Sequence, residues 1–277
     1  MQYLKNSIKK RLAYFLYRNK VKPEAFEKLL LHSVQVGHKN SSAAVADLFT
    51  YHGEDGIIQY IISKLKDLPP VFVDIGSGNC ITSNCATLTV HNKWSGLFLD
   101  NNDLLLSIGN SFYSKLNLGD KLQFAKELVT PENINGILKQ KNIRGPVGLL
   151  SIDIDGNDYW VWKALNIIQP QIVVIEAKVE FGFKNIIVPE GPKNHHSFNK
   201  KYNGASVEAF RALGYEKGYT LVGANPQGYN LFFIRNEDVN ESLQELKTES
   251  ILKHPDTVKS FYPEHFFKQH QFIKIKA

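Results

Sequence analysis

The chain has 277 residues, 43% of them hydrophobic and 22% charged, a composition typical of a globular protein with a sizeable core. No run reaches the ~18 apolar residues that cross a bilayer, and the first residues lack the uninterrupted apolar segment of a secretory signal. The two cysteines, Cys80 and Cys85, suit neither a disulfide framework nor a zinc site, so we expect reduced thiols in a cytoplasmic protein.

The formal net charge of +6 is concentrated at the amino terminus. Residues 1–22 contain seven of the 33 basic residues and no acid, which leaves 26 basic residues against 27 acidic ones in the rest of the chain. We therefore expect no nucleic-acid-binding face. Leu4, Ile8, Leu12 and Phe15 fall at helical spacing, which fits either an amphipathic helix lying on an anionic cytoplasmic membrane face or a terminal helix docked on the protein's own core.

Residues 22–66 predict largely helical structure, which the sequence DLPP at 67–70 then breaks. Beyond this break, short apolar runs alternate with helix-compatible stretches. The runs are Val71–Ile75, Gly96–Asp100, Leu122–Leu128, Val147–Asp153 and Ile172–Ala177, and the helical stretches are 81–91, 102–115, 131–141 and 157–167, the third capped by Thr130. This alternation predicts an α/β fold with a doubly wound, mostly parallel sheet and helices on both faces.

The end of the pattern differs. A helix at 206–217, with Ser206 as its cap, leads into two runs joined by the turn NPQG, which predicts an antiparallel hairpin that completes a seven-stranded sheet. We divide the chain into a basic helical arm at 1–45, an α/β domain at 46–237, and a tail at 238–277. The tail is a helix followed by an aromatic-rich stretch, which we expect to pack on the core as a strap.

The stretch VFVDIGSGNC, Val71–Cys80, carries the first site signal. In an open parallel sheet, ligands bind beyond the carboxyl ends of the strands, where the turn Gly76-Ser77-Gly78 lies. Glycines let the backbone approach a ligand closely, and a helix expected to follow would offer unpaired N–H groups. Asp100 ends the next predicted strand, a position that suits a carboxylate accepting hydrogen bonds from ribose hydroxyls.

These features fit either a dinucleotide or S-adenosylmethionine. The dinucleotide fingerprint requires a third small residue where this chain has Ile81. Asp74, directly before the glycine turn, would repel a pyrophosphate and attract a ligand that carries an ammonium and a sulfonium. The sequence therefore favours the methyl donor, although Asp74 as a turn-capping aspartate is the plainer alternative.

The stretch LLSIDIDGNDYWVWKAL, Leu149–Leu165, carries the second signal. Side chains alternate along a strand, so Ser151, Asp153 and Asp155 are predicted to share a face at the carboxyl end of the fourth strand. The fifth strand adds Glu176. Three roles are open for these acids: a general base for a hydroxyl, ligands for Mg²⁺ or Mn²⁺, or helix caps, the role expected of Asp158.

Six segments together resemble the FkbM-like branch of class I S-adenosylmethionine-dependent methyltransferases over roughly residues 50–237. They read HGEDGII, VDIGSGNC, GLFLDNN, SIDIDGNDYWVW, YNGAS and GYTLVG…YNLFFIRN. The resemblance implies an O-methyltransferase acting on a sugar, a polysaccharide precursor or a related natural product. It implies donor contacts from Glu54, Asp74, Gly76, Gly78, Asp100 and Asn101, and it places Asp153, Asp155 and Glu176 at the reaction centre.

The sequence departs from this branch after the fifth strand, where it reads Glu176-Ala177-Lys178, and at Val188–Gly191. Both positions belong to the expected acceptor region. The connection that follows contains His195, a second candidate base, and several lysines that would suit an anionic acceptor or form a solvated loop. Two other functions stay open: a nicotinamide-dependent oxidoreductase, and an inactive protein of the same fold that serves as a partner subunit.

Overall fold

The computed structural model describes residues 49–50, 52–191 and 202–275. Within these ranges the strands are β1 Val71–Ile75, β2 Ser95–Asp100, β3 Leu122–Lys126, β4 Gly145–Ile152, β5 Ile168–Glu176, β6 Ile186–Ile187, β7 Tyr219–Ala224, β8 Asn230–Arg235 and β9 Ile273–Lys274. The helices are α1 Glu54–Lys64, α2 Ala86–Val90, α3 Asp103–Lys115, α4 Ile134–Gln140, α5 Asp158–Ala164, α6 Val207–Glu216, α7 Thr248–Ile251, α8 Pro255–Ser260 and α9 Glu264–Gln269.

Seven strands form the main sheet, in the order β3-β2-β1-β4-β5-β8-β7. The first five strands are parallel, β8 is antiparallel to β5, and β7 is antiparallel to β8. The predicted α/β fold with a mostly parallel sheet and a terminal hairpin is therefore confirmed. The chain runs outward from β1 to β2 and β3 and then crosses back to β4. Strand order thus reverses beside β1, where open sheets of this kind form a ligand crevice.

The sheet buries both faces because its strands are apolar on both sides. Val73 and its register partners Leu97 and Leu150 pack against α4, α5 and α6 on one face. Phe72 and Phe98 pack against α1, α2 and α3 on the other face. The result is a three-layer sandwich, with the site at the carboxyl ends of the parallel strands.

Two helix starts differ from the prediction because asparagine side chains hold the backbone in turns. The side chain of Asn79 accepts hydrogen bonds from the amides of Ile81 and Thr82, so the stretch predicted as helix 81–91 is helical only in α2. Asn133 accepts from the amide of Thr130, and α4 begins at Ile134, so Thr130 is not its cap. Ser206, in contrast, caps α6 as predicted by accepting from the amide of Ala209.

The tail packs on the core as predicted, but it forms three short helices, α7 to α9, and the strand β9, where the sequence predicted one helix and an aromatic-rich stretch. Its strand β9 pairs antiparallel with β6, and its aromatic rings surround Phe181, which lies in the 3₁₀ turn Val179–Phe181 that follows β5. The tail therefore braces the connection that begins at the carboxyl end of β5. No helix in the described part of the chain is both long and apolar enough to span a membrane. The arm at 1–45 lies outside the described residues.

Candidate active site

A cavity of about 800 Å³ opens at the carboxyl ends of β1, β2, β4 and β5, and a smaller one of about 290 Å³ adjoins it. The two cavities share Gly76, Gly78, Asp153 and Glu176 as lining residues. Every predicted site residue within the described chain lines one of them: Gly76, Gly78, Asp100, Asn101, Asp153, Asp155 and Glu176 the larger, and Glu54 and Asp74 the smaller. The remaining predicted residue, His195, lies outside the described residues.

The glycine turn is shaped by its neighbours. Gly76 has φ +83°, and a Cβ at this position would lie 1.8 Å from the backbone oxygen of Asp153, so no other residue fits without moving β4. Gly78 has φ +55°, and a Cβ there would meet nothing within 4 Å. Its backbone is therefore open to a ligand in the cavity. The expected helix N-terminus is absent at this turn, because the Asn79 loop separates it from α2.

Asp100 is bound directly to this turn. Its Oδ2 accepts from the amide of Gly78 at 2.8 Å, and its Oδ1 accepts from the amide of Asn102 at 2.8 Å. These two bonds fix the carboxylate at the rim, and each oxygen keeps a further lone pair for a ligand hydroxyl. The amide of Glu127 donates to the Asp100 backbone oxygen at 2.9 Å, which brings the loop after β3 to the same rim.

Asp74 lies at the floor of the smaller cavity and is buried. Burial raises its pKa to about 7, against the lowering effect of hydrogen bonds from the hydroxyls of Ser83 and Ser151, and the charge of Asp100 raises it further. The Ser151 hydroxyl also accepts from the side-chain amide of Asn84 at 3.1 Å. A buried carboxylate with this pKa gains most from a cationic ligand, because the ion pair offsets the cost of keeping it charged.

Glu54 connects α1 to the terminal hairpin. Its Oε1 accepts from the side-chain amides of Asn225 and Asn230 at 2.8 and 2.9 Å, and its Oε2 accepts from the amide of His52 at 3.0 Å. The carboxylate is buried, and protein donors occupy both of its oxygens. Its Oε1 has two protein donors, whereas Oε2 has one and keeps a further lone pair, so Glu54 lines the smaller cavity and its predicted contact with the donor stays a prediction.

Three carboxylates cluster where the two cavities meet. Oxygens of Asp153, Asp155 and Glu176 all lie within 4.8 Å of one another. In the open cavity the side chains of Asp153 and Asp155 are exposed and that of Glu176 is half-buried. Desolvation by the surrounding cavity walls raises the pKa of Asp153 to about 7, and the charges of Asp158 and Asp155 raise it further. Burial also raises the pKa of Glu176 well above its usual value, with the charge of Asp153 as the next cause. Among the described residues, these three form the group that could hold a metal ion.

The sequence predicted that strand alternation brings these acids together, but in the structure a turn does so. Strand β4 ends at Ile152, and Asp155 has φ +57°, in the left-handed region that non-glycine residues rarely adopt. Asp158 holds this turn: its Oδ1 accepts from the amide of Ile154 and its Oδ2 from that of Gly156, both at 2.8 Å. Asp158 thus has a structural role, but not the predicted one of a helix cap: it is the first residue of α5, and its bonds go to the turn before the helix.

Sequence reasoning missed several wall residues. Ser83, Asn84, His52 and Tyr229 line the smaller cavity, and Asn203 lines the larger one. The position of Ser83 and Asn84 just after the glycine turn was a usable signal. His52 and Tyr229 reach the site through tertiary packing, with ring centroids 6.2 Å apart. Both begin segments that carry the resemblance, HGEDGII and YNLFFIRN, but neither was predicted as a site residue.

Comparisons with known proteins give the following. No protein-family model matches the chain, and no curated protein matches it. The FkbM-like branch is therefore not confirmed. Among solved structures, the chain is similar to an O-methyltransferase from Bacillus cereus in complex with S-adenosylhomocysteine, at 15% identity and a TM-score of 0.41, covering 80% of this chain and 96% of that one.

A putative caffeoyl-CoA O-methyltransferase from Staphylococcus aureus is similar at 15% identity and a TM-score of 0.44, covering 82% of this chain and 98% of that one. An O-methyltransferase family protein from Burkholderia thailandensis is similar at 12% identity and a TM-score of 0.39 over 66% of this chain, which spans 57% of that protein's length. Similarities at this level do not assign a function.

Proposed function

We propose that the protein is an S-adenosylmethionine-dependent O-methyltransferase. The observation that carries the proposal is the bond from the Gly78 amide to the Asp100 carboxylate, directly beside the buried Asp74. Asp100 would accept hydrogen bonds from hydroxyls, and Asp74 would bind a cation. S-adenosylmethionine carries both kinds of group, ribose hydroxyls and an ammonium beside a sulfonium. The sheet order and the terminal hairpin agree with the class I methyltransferase fold that the sequence resembles.

The residues fit the donor in three parts. Asp100 would accept hydrogen bonds from the ribose hydroxyls, and Asn101 with Leu128 and Val129 would flank the adenine. The smaller cavity would receive the methionyl group, with Asp74 facing its ammonium. The junction of the two cavities, at Gly76 and Asp153, would then lie next to the transferable methyl.

The same geometry disfavours the alternative oxidoreductase. A dinucleotide site of the Rossmann type places the pyrophosphate on a helix N-terminus directly after the glycine turn. Here the turn continues into the Asn79 loop, and the carboxylate of Asp74 lies where it would repel a pyrophosphate. Binding of NADH without binding of S-adenosylhomocysteine would reverse this preference.

For the transfer step, the acceptor oxygen forms a bond to the methyl carbon as the carbon–sulfur bond breaks, and the hydroxyl proton passes to a carboxylate. Much of the rate of such an in-line displacement comes from alignment. Asp153 and Glu176 are the proposed proton acceptors, because their raised pKa values make them stronger bases than free carboxylates when ionised. Should the cluster hold Mg²⁺ or Mn²⁺ through Asp153, Asp155 and Glu176, the ion would bind and acidify the acceptor hydroxyl.

The proposed acceptor is a hydroxyl of a sugar, a polysaccharide precursor or a related natural product, as in the FkbM-like resemblance. The described wall of the larger cavity carries six acidic residues and one lysine, Lys178, which favours an uncharged or cationic acceptor. The anionic acceptor predicted from the basic residues 193–201 depends on residues outside the described ranges. A role as an inactive partner protein is less favoured, because the predicted acids converge on one cavity.

The test is thermal unfolding with S-adenosylhomocysteine. We expect the ligand to raise the Tm of the wild-type protein, and Asp100→Asn to remove most of the increase. Asp120→Asn is the matched control, because Asp120 is an exposed carboxylate in the 3₁₀ turn before β3, at the opposite end of the sheet. No increase at saturating ligand, or an equal increase in both variants, would count against the proposal.

The metal question has its own test. The protein and labelled donor are incubated with an extract of the source cells, with EDTA and with Mg²⁺ or Mn²⁺ added back, and the labelled product is identified by mass. Loss of labelling with EDTA and recovery with the ion would show that transfer needs a metal, for which the cluster of Asp153, Asp155 and Glu176 is the candidate site. Unchanged labelling would leave the carboxylates as the proton acceptors.

A further inference from the structure

The turn that presents Asp155 is held at three points. Asp155 has φ +57°, a conformation in which a residue stays only when its surroundings enforce it. The amides on either side, of Ile154 and Gly156, both donate to Asp158. The third point comes from a distant part of the chain, because the side-chain Nδ2 of Asn203 donates to the Asp155 backbone oxygen at 2.8 Å.

Asn203 is fixed independently of this turn. It is buried, with 7% of its surface exposed, and the residues after it are bound to the connection that follows β5. The amide of Val188 donates to the Gly204 backbone oxygen at 3.0 Å, and the amide of Lys178 donates to that of Ala205 at 2.8 Å. The residues that follow Asn203 are therefore held by backbone bonds that do not involve the Asp155 turn.

A second connection joins the same two parts of the chain. The side-chain Oδ1 of Asn157 accepts from the amide of Gly191 at 3.2 Å, and the indole Nε1 of Trp160 donates to the Val188 backbone oxygen at 3.1 Å. The segment with the Asp155 turn is thus bound to the connection after β5 through Val188 and Gly191, and to the segment after residue 201 through Asn203. Both of these belong to the proposed acceptor region. A shift of either part would carry the Asp155 carboxylate with it.

We infer that Asn203 is a positioning residue that keeps the Asp155 carboxylate beside Asp153 and Glu176. The inference rests on the proposed function, because it assigns Asp155 to the acceptor side of that active site. Asn203 lines the cavity but acts through a backbone bond to Asp155. Losing that bond frees the turn to relax toward an ordinary conformation and moves the carboxylate out of the cluster.

The experiment compares Asn203→Asp with Asn135→Asp. In both variants an amide of nearly the same size becomes a carboxylate, which cannot donate. Asn135 is a matched control, since its Nδ2 donates to the Ala164 backbone oxygen at 2.9 Å, a bond of the same kind on α4 and outside both cavities. Asn203→Ala removes the donor without adding charge and serves as the second variant.

The readouts are donor affinity, the rate of methyl transfer and the structure. Transfer is measured from labelled S-adenosylmethionine to the extract fraction that the wild type labels. We expect both Asn203 variants to lose roughly 10- to 100-fold in rate, as for a displaced reacting group, while affinity for S-adenosylhomocysteine stays within about twofold. Asn135→Asp should keep the wild-type rate.

A double-mutant comparison separates positioning from a general structural role. If Asn203 acts through Asp155, Asn203→Ala should cost little further rate in an Asp155→Asn background; multiplied losses would overturn the inference. The crystal structure of Asn203→Ala tests the idea without activity: an unchanged Asp155 turn, with the three carboxylates still within the wild-type distance, would also overturn it. Failure of the wild type to bind S-adenosylhomocysteine would instead contradict the proposed function, and the crystallographic test of the Asn203–Asp155 bond would still apply.

Discussion

Replacing Asp74 with asparagine should make the protein more stable at neutral pH while weakening donor binding. The Asp74 side chain is only 3% exposed, and burial raises its pKa to about 7 from 3.8. Between these two values the native state holds a proton that the unfolded chain has released. The native state therefore binds more protons, and the free energy of unfolding falls as pH rises from about 4 to about 7.

The size of the effect follows from the pKa. Each pH unit in that window changes the free energy of unfolding by about 1.4 kcal/mol. The titration of Asp74 therefore lowers the free energy of unfolding by up to about 3 kcal/mol between pH 5 and pH 7. An asparagine at this position would not titrate, and its carbonyl can still accept from the Ser83 hydroxyl that donates to Asp74. The stability of Asp74→Asn relative to wild type should thus rise by roughly 2–3 kcal/mol across this range.

Urea unfolding at pH 5, 6, 7 and 8 measures this difference, with Asp120→Asn as the exposed-carboxylate control. Asp153 and Glu176 also have raised pKa values and are present in all three proteins. Because the charge of Asp74 raises the pKa of Asp153, the difference reports Asp74 together with this coupling, and both act in the same direction. Titration calorimetry should show the variant binding S-adenosylhomocysteine roughly 10- to 100-fold more weakly, as for loss of a hydrogen bond to a charged group. Parallel stability curves for wild type and variant would refute the reasoning about the buried charge.

Gly76→Ala should lower the free energy of unfolding in urea by several kcal/mol, because its Cβ would overlap the Asp153 backbone. Gly136→Ala, in α4 with open space around it, should raise the free energy of unfolding by about 0.5–1 kcal/mol. Equal effects would contradict the packing at the turn. Glu54→Gln should lower stability by about 1–3 kcal/mol, since an amide cannot satisfy all three donors around it; an unchanged urea midpoint would contradict this. Asp153→Asn should reduce methyl transfer much more than donor affinity, and equal losses would make Asp153 a binding residue. Deleting residues 1–22 should abolish flotation with anionic liposomes if the arm binds membrane; equal flotation of both proteins would exclude that role.

Much of the sheet could be predicted because its strands are continuous apolar runs. Val71–Ile75 matches β1 residue for residue, and the NPQG turn correctly predicted the antiparallel β7 and β8. The helix starts were less predictable. Asn79 and Asn133 fold back on nearby amides, and this competition between side chain and helix has no periodic signal.

The positions of the site residues were predictable to the extent that they end strands. Asp100 and Glu176 close β2 and β5, and parallel strands bring such residues to one edge. Contacts between distant segments were not predictable. Glu54 meets Asn225 across 171 residues, and Asn203 meets Asp155 across 48, so no local pattern reports either pair. The left-handed turn at Asp155 was also missed, because alternation along β4 was extended beyond the end of the strand.

The most direct test of the central claim is a crystal structure of the protein grown with S-adenosylhomocysteine. We predict that the ribose hydroxyls lie within hydrogen-bond distance of Asp100 and that the amino group of the ligand faces Asp74. A structure in which the ligand avoids the Gly76–Gly78 turn would contradict S-adenosylmethionine binding at this site, and so would one in which only a pyrophosphate-bearing nucleotide occupies that cavity.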